Sequence, residues 1–390
     1  MNRDELPGSG KFRRADARGA PEGRIPGQAA WRLGFAPKYC VARNVTDLSE
    51  HTVESLKGRR GALGFRPSHA GPLLRSYYSG SSAETANRRF PNPLAQLLEN
   101  EARRIASAVC ARQVSEDGTT KLLLRMGDGR TVESVMMPDY RADRAAGCLS
   151  SQVGCAMGCD FCATTKTGFE RNLTSGEIVA QFLALRREAQ SLGRRLQTVV
   201  FMGMGEPMLN LENVCAAIDR MASNEMGALG FRQITVSTVG IVSGIDALAA
   251  SGLRVHLAVS LHAPDDSTRA RLLPTGRRFA VHDILAAADR YQASVGRPVS
   301  LQYCLLRGVN DSMAQADQLA GLLKGRRMHV NLLGYNSTGL SLRGESYEAS
   351  TEAATDAFRA RLTDLGVVAH VRRPRGPDID AACGQLRRRS

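Results

Sequence analysis

No apolar stretch in the 390 residues approaches the ~20 that a membrane-spanning helix needs, which predicts a soluble protein with no membrane partner. The opening MNRDELPGSGKF lacks the apolar run of a secretory signal and carries Asp4 and Glu5 where such a signal is basic. Export is therefore not expected, and the compartment reads as cytoplasmic. Nine cysteines are scattered rather than densely spaced, so metal or catalytic work is expected before a disulfide framework. Acidic residues are in short supply, 38 against 52 Lys and Arg. The resulting charge of +14 favours a polyanionic partner, although charge alone does not choose among RNA, DNA and anionic lipid, and a merely soluble basic surface is the plainer reading.

What is present fits a globular chain: 43% hydrophobic and 23% charged residues, with length for about two domains and a sizeable core. Residues 1–36, rich in Gly, Pro, Arg and Lys without a hydrophobic period, read as a basic flexible tail. Residues 37–140 read as an accessory domain, weakly helical from Tyr39 to Arg112 and broken near Gly80, Pro91 and Pro93. It ends in a hairpin, Lys121 to Met126 and Thr131 to Met137, turning on Gly127, Asp128 and Gly129. Alternation places Glu133 on the face of Val135 and Met137.

From residue 141 to 390 short apolar runs alternate with amphipathic helices. The runs are Thr198 to Met202, Ile234 to Ser237, Val255 to Leu261, Val299 to Leu306 and His329 to Leu333. Runs apolar throughout predict parallel strands covered on both faces. With a strand before the cysteine cluster, the α/β pattern gives a partial (βα)6 barrel, with Val367 to Val371 as an extra strand. In such barrels chemistry gathers at the carboxyl ends of the strands. Thr174 and Glu177 have capping-box spacing at the start of a helix.

Cys155, Cys159 and Cys162 stand in GCAMGCDFC, a CxxxCxxC spacing on one glycine-containing loop. Three thiolates can hold three irons of a [4Fe-4S] cubane and leave the fourth iron open to the amino and carboxylate groups of S-adenosylmethionine. Zinc prefers a fourth protein ligand, commonly from a second CxxC, and the chain has none. Glu206, in GMGEP after an apolar strand, suits the cofactor's ammonium group, or else simply a helix amino terminus. Ser237, Ser260 and His262 close two further strands and suit a ribose or carboxylate, although a lone strand-end His is commonly a satisfied structural one. Asn336 reads as a turn residue whose amide could meet an adenine edge.

The run GCLSSQVGCAMGCDFCATTKTGFERNLTSGEI, followed in order by FMGMGEPMLN, TVSTVG, SLHAPDD, LLGYN and RGPDIDAACGQL, resembles the radical S-adenosylmethionine RNA methyltransferases of the RlmN/Cfr family. The resemblance spans about Glu133 to Leu386, and the first hundred or so residues do not visibly match. It implies that Cys155, Cys159 and Cys162 hold the cluster, and that Gly205, Glu206, Ser237, Ser260, Leu261, His262 and Asn336 line the S-adenosylmethionine pocket. It further implies that Cys383 carries a methyl group as S-methylcysteine, that Cys148 resolves a covalent intermediate with RNA, and that Glu133 accepts a proton. Cys40, Cys110, Cys215 and Cys304 match nothing, and Cys215 and Cys304 suit packing.

Carbon 2 of adenine is electron-poor and will not attack a sulfonium methyl, so a radical route is required. The route the resemblance implies begins with one S-adenosylmethionine methylating Cys383, a step that a depressed thiol pKa would help, and a second being cleaved to abstract hydrogen from that methyl. Addition to the ring would join protein to RNA, and loss of an electron and a ring proton, with attack by Cys148 on the Cys383 sulfur, would release methyladenine and leave a disulfide to be reduced. The resemblance thus implies ribosomal RNA, and in some members transfer RNA, as partner, two cofactor molecules per turnover, an external electron donor of flavodoxin type and a monomer. Carbon 8 methylation, as in the Cfr branch, and a non-enzymatic iron-sulfur RNA-binding protein are the alternatives. Arg372, Arg373 and Arg375 before Cys383, and Arg387 to Arg389 after it, place positive charge around the methyl carrier.

Overall fold

The computed structural model describes residues 47–58, 65–80 and 88–387. The expected tail of residues 1–36, and Arg388 and Arg389, lie outside them. Helices Val53–Lys57, Ala70–Ser79 and Asn92–Ala108 come first. The expected breaks are their ends: Gly80 closes one helix at φ 71°, and Pro91 and Pro93 sit in the opening turn of the next, where a missing N–H costs nothing.

Strands β1 (Val109–Val114), β2 (Thr120–Arg125), β3 (Thr131–Pro138) and β4 (Arg144–Cys148) pair antiparallel in sequence order. Two short strands, β5 (Gln152–Gly154) and β6 (Phe169–Asn172), pair with each other on either side of the cysteine loop. Then follow β7 (Arg195–Phe201), β8 (Ile234–Thr238), β9 (His256–Ser260), β10 (Val299–Leu305), β11 (Met328–Gly334) and β12 (Ala369–Arg372). From β4 through β7 to β12 every pairing is parallel. The sheet runs β1-β2-β3-β4-β7-β8-β9-β10-β11-β12 and has two free ends, so the expected six-unit barrel is present, open, with β12 as the extra strand.

The weakly helical reading to Arg112 gives way at Val109, where β1 begins. That strand is an exposed edge formed by its pairing with β2, and it carries no alternating pattern of its own. In the hairpin turn, Gly129 at φ 84° and the Met126 N–H to Arg130 carbonyl bond, 2.7 Å, close the expected connection. β3 differs from a simple half-buried strand because it lies inside the sheet and is buried on both faces along Val132 to Met136. Helix Ser175–Ser191 opens on the expected capping box: the Thr174 hydroxyl accepts the Glu177 N–H, and Glu177 accepts the Thr174 N–H at 2.9 Å. Its Ile178, Val179, Phe182 and Leu185 are fully buried against the sheet, each contributing about 1.5–3 kcal/mol. Among the described residues no helix is long and apolar enough to cross a membrane.

Candidate active site at the carboxyl ends of the strands

A cavity of about 680 Å³ occupies the open barrel. Its wall brings together Cys155, Cys159, Cys162, Cys148 and Cys383 with Gly205, Glu206, Ser237, Ser260, His262 and Asn336. Leu261 and Glu133 stand apart from that wall. Leu261 is fully buried, and its N–H bonds the Gln302 carbonyl at 3.0 Å.

The cysteine loop is shaped by backbone that only glycine tolerates. Gly154, at φ 75°, lies so close to the Gly168 carbonyl that a side-chain carbon would collide with it. Thr165 donates to the Cys159 carbonyl at 3.2 Å, and Tyr347 Oη donates to Asp160 at 2.6 Å. Burial pushes the Cys155 thiol up to about 12 and raises Cys159 well above its ordinary value, and each neighbouring thiolate adds to the effect. A multivalent cation reverses that balance. Among the described residues no three metal-binding side chains converge on a single ion. Thiolates on one zinc would lie about 3.8 Å apart, given Zn–S bonds of about 2.3 Å. The three cysteines line one cavity wall, and in a cubane each binds a different iron.

Glu206 follows Gly205, whose φ of 100° and 2.5 Å approach of its would-be Cβ to Gln152 exclude other residues. Its two oxygens accept the N–H groups of Met208 at 3.1 Å and Val239 at 2.9 Å. The helix-terminus reading thus holds for this carboxylate, yet it also faces the cavity, and burial lifts its pKa to about 7 despite those bonds. His262 sits at φ 61°, with Nδ1 accepting the Cys304 N–H at 2.9 Å, which leaves the ring proton on Nε2. Burial, then the nearby Arg269, lowers its pKa to about 3, so it is a neutral donor.

Cys383 is exposed to the cavity on a loop held from three sides. The Ala163 N–H bonds the Gly384 carbonyl at 2.7 Å, and Thr164 donates to the Leu386 carbonyl at 2.6 Å. Asn336 Nδ2 reaches the Cys383 carbonyl at 3.5 Å. From the turn between β1 and β2, Ser115 donates to Asp378 at 2.5 Å, and from β2 Lys121 donates to the Asp380 carbonyl at 3.3 Å. Glu133 completes that clasp: it ion-pairs with Lys121 at 3.2 Å and accepts the Arg387 N–H at 2.6 Å. Although Cys383 opens onto the cavity, its thiol sits deep among protein atoms, and this burial and then Cys162 raise it, the reverse of the depressed pKa that would ease its methylation. Cys148 ends β4, buried, raised to about 12 by burial and then by Cys383.

Cys304, expected to serve packing, also lines the same cavity, and burial, then Cys383 and Cys162, raises its thiol to about 12. One further residue, Arg269, escaped the sequence reading. Arg269, fully buried, donates to the Val239 and Phe279 carbonyls and lies close enough to Cys159 for that thiolate to favour its charge. Nothing in the sequence around SLHAPDD distinguishes this arginine from a surface cation.

Of the arginines that bracket Cys383, Arg372 bonds Asn331 at 2.8 Å, Arg375 lies 3.9 Å from Asp117, and Arg387 pairs with Asp380.

An open parallel barrel with three cysteines on the loop after its first strand, and a polar wall built from the next strand ends, defines a radical S-adenosylmethionine enzyme. The comparisons agree. Residues 149–320 match the radical SAM superfamily. The chain is 65% identical over 341 residues to the probable dual-specificity RNA methyltransferase RlmN 1 of Opitutus terrae, covering 87% of this chain and 96% of that relative. It is 44% identical over 298 residues to a probable RlmN of Thermotoga sp., covering 76% and 81%. A crystal structure of a radical SAM methyltransferase from Sphaerobacter thermophilus superposes with a TM-score of 0.79 at 40% identity, covering 87% and 98%. The chain belongs to the RlmN family of radical SAM RNA methyltransferases. Its cofactors are a [4Fe-4S] cluster and S-adenosylmethionine.

Proposed function

We propose that this enzyme methylates carbon 2 of an adenine in 23S ribosomal RNA and in transfer RNA, using Cys383 as methyl carrier and Cys148 as resolving thiol. The observation that carries the reading is the meeting of Cys148 and Cys383 in one cavity with the three cluster cysteines. The dual-specificity relatives favour carbon 2 over carbon 8 and two RNA classes over one. Family membership also supports a cytoplasmic monomer served by a reductant of flavodoxin type.

When bound, the cluster and S-adenosylmethionine supply an electron, a methyl group and the radical that abstracts hydrogen. The chain does the rest. Cys155, Cys159 and Cys162 hold the cluster, and Glu206, Ser237, Ser260, His262 and Asn336 orient the cofactor over it. Leu261, behind that wall, fixes the turn that carries His262. The three-sided anchorage of its loop holds the Cys383 sulfur toward the cavity. Once base and sulfur are joined through the methylene, and the ring has given up one electron and its carbon 2 proton, the Cys148 thiolate attacks that sulfur; the bond from sulfur to the methylene breaks with its electron pair going to the carbon, which takes up a proton to become methyl, and the disulfide left behind must be reduced by two electrons. The test is anaerobic reconstitution with iron and sulfide, followed by reaction with S-adenosylmethionine, dithionite and ribosomal RNA. 2-Methyladenosine by mass spectrometry is the expected product; a product methylated at carbon 8, or none from a loaded cluster, overturns the reading.

A cofactor ammonium needs Glu206 ionised. Because its pKa stands near 7, affinity for S-adenosylmethionine weakens about tenfold per unit as pH falls below 7. Titration calorimetry between pH 5 and 7 reads this, and Glu206→Gln flattens the profile.

Glu133 enters as the residue that ties the Cys383 loop to the hairpin, since both its oxygens are engaged and it lies off the cavity wall. A proton-acceptor role is the second reading, favoured by a pKa that burial raises in spite of Lys121. Glu133→Gln leaves the buried Lys121 charge without its carboxylate and with only the Asp380 carbonyl to accept from it, a loss of about 3–5 kcal/mol. Adding Lys121→Met restores much of the thermal stability. If turnover returns with it, Glu133 is a clasp; if stability returns and turnover does not, Glu133 moves the proton.

A further inference from the structure

We infer that the amino-terminal rim of the barrel, opposite the cysteines, grips RNA phosphates that flank the target base. The inference rests on the RNA methyltransferase reading above. Five parallel strands are entered through an arginine: Arg195 opens β7, Arg232, Arg254 and Arg297 stand two residues before β8, β9 and β10, and Arg327 immediately precedes β11. Among the described residues none of the five has a carboxylate partner. Arg254 reaches only the Val295 carbonyl, at 3.2 Å, and Arg297 only His256, at 3.4 Å.

This differs from the flanks of the barrel, where Arg112, Arg290 and Arg361 are each matched to Glu188, Asp246 and Asp317. Arg232, Arg254, Arg297 and His256 bound a surface cavity of about 750 Å³. Burial lowers both Arg297 and His256, and the guanidiniums are close enough that Arg232 and Arg254 add to the effect on Arg297, and Arg297 to that on His256. Such a group is mutually repulsive until an anion enters, and planar forked donors suit phosphate.

The partner is RNA rather than an acidic electron-transfer protein. A seven-residue strand such as β10 puts the rim about 20 Å from the cysteine end, the wrong end for a reductant to approach the cluster. RNA can span that length. His256 lines both the rim cavity and the central one, which also takes in Arg372 and Arg373, so polar wall continues from the rim into the cavity that holds the cysteines.

The experiment uses the reconstituted full chain carrying Arg232→Gln, Arg254→Gln and Arg297→Gln together. It measures binding and methylation of a ribosomal RNA hairpin across salt concentrations. The expected result is a Kd weaker by about tenfold or more near physiological salt, and a salt slope lower by about two units, at ~0.7–0.9 per phosphate. Turnover at saturating RNA stays unchanged, because these residues are remote from the cofactor wall, and the triple Arg→Lys variant keeps the slope. An unchanged Kd and slope overturn the inference. Loss of methylation with a protein reductant but not with dithionite, at unchanged RNA affinity, overturns it in favour of a reductase dock. Methylation of the same hairpin by the unaltered enzyme scores the underlying function separately.

Discussion

Cys159→Ala abolishes iron loading and takes RNA methylation to the background of the uncatalysed reaction. The loss follows from how rigidly the loop is set. Gly154 and Gly168 abut, Thr165 holds the Cys159 carbonyl, and Asp160 is fastened both to Tyr347 and, through its N–H, to the Leu272 carbonyl at 2.9 Å. The other thiols on the cavity wall, Cys148, Cys304 and Cys383, stand outside this loop. The fold itself survives, since deleting one small buried side chain costs on the order of 1 kcal/mol. Iron content, the visible absorption of the cluster and methyladenosine all fall together while the melting temperature holds. Cys304→Ala is the matched control: it lines the same cavity, stands outside the cysteine loop and keeps its iron. Retention of cluster and turnover by Cys159→Ala would falsify the ligand assignment.

What could be read in the chain before its folding was whatever depends on near neighbours. The CxxxCxxC loop, the Thr174 and Glu177 cap, the glycine turn of the hairpin and the apolar strands are each set within a few residues, and each is found where expected. What could not be read depends on residues brought together from far apart. Glu133 alternates as a half-buried strand residue should, but its surroundings come from Lys121 on the next strand and Arg387 at the far end of the chain. Nothing local announces that Ser115 and Lys121 clasp the Cys383 loop, or that Cys304 faces a cavity from the middle of an apolar run. Likewise, Arg232, Arg254 and Arg297 look like ordinary punctuation before strands until the parallel sheet aligns their ends on one rim. β1 is the plainest failure of local reading: an exposed strand has no pattern to show, and only pairing with β2 makes it one.

Cys383→Ala and Cys148→Ala both stop product release, and they stop it at different places. Without the Cys383 sulfur there is nothing to carry the methyl group, so the chain gains no methyl mass, RNA stays free and methyladenosine is absent. The loop remains in place because its anchors are the Gly384 and Leu386 carbonyls and the Glu133 clasp, none of which uses the thiol. Without Cys148 the carrier is methylated and joins the base, but no thiolate reaches the Cys383 sulfur to break the bond. The RNA then migrates with the protein on a denaturing gel, and digestion leaves a modified nucleoside on the peptide holding Cys383. Cys304 makes this contrast sharper, since it is a second thiol on the same wall, also raised to about 12. If Cys148→Ala releases methyladenosine and only the double variant with Cys304→Ala retains RNA, the resolving role is shared. If Cys148→Ala alone retains it, position at the end of β4, rather than the mere presence of a thiol, decides which cysteine can attack.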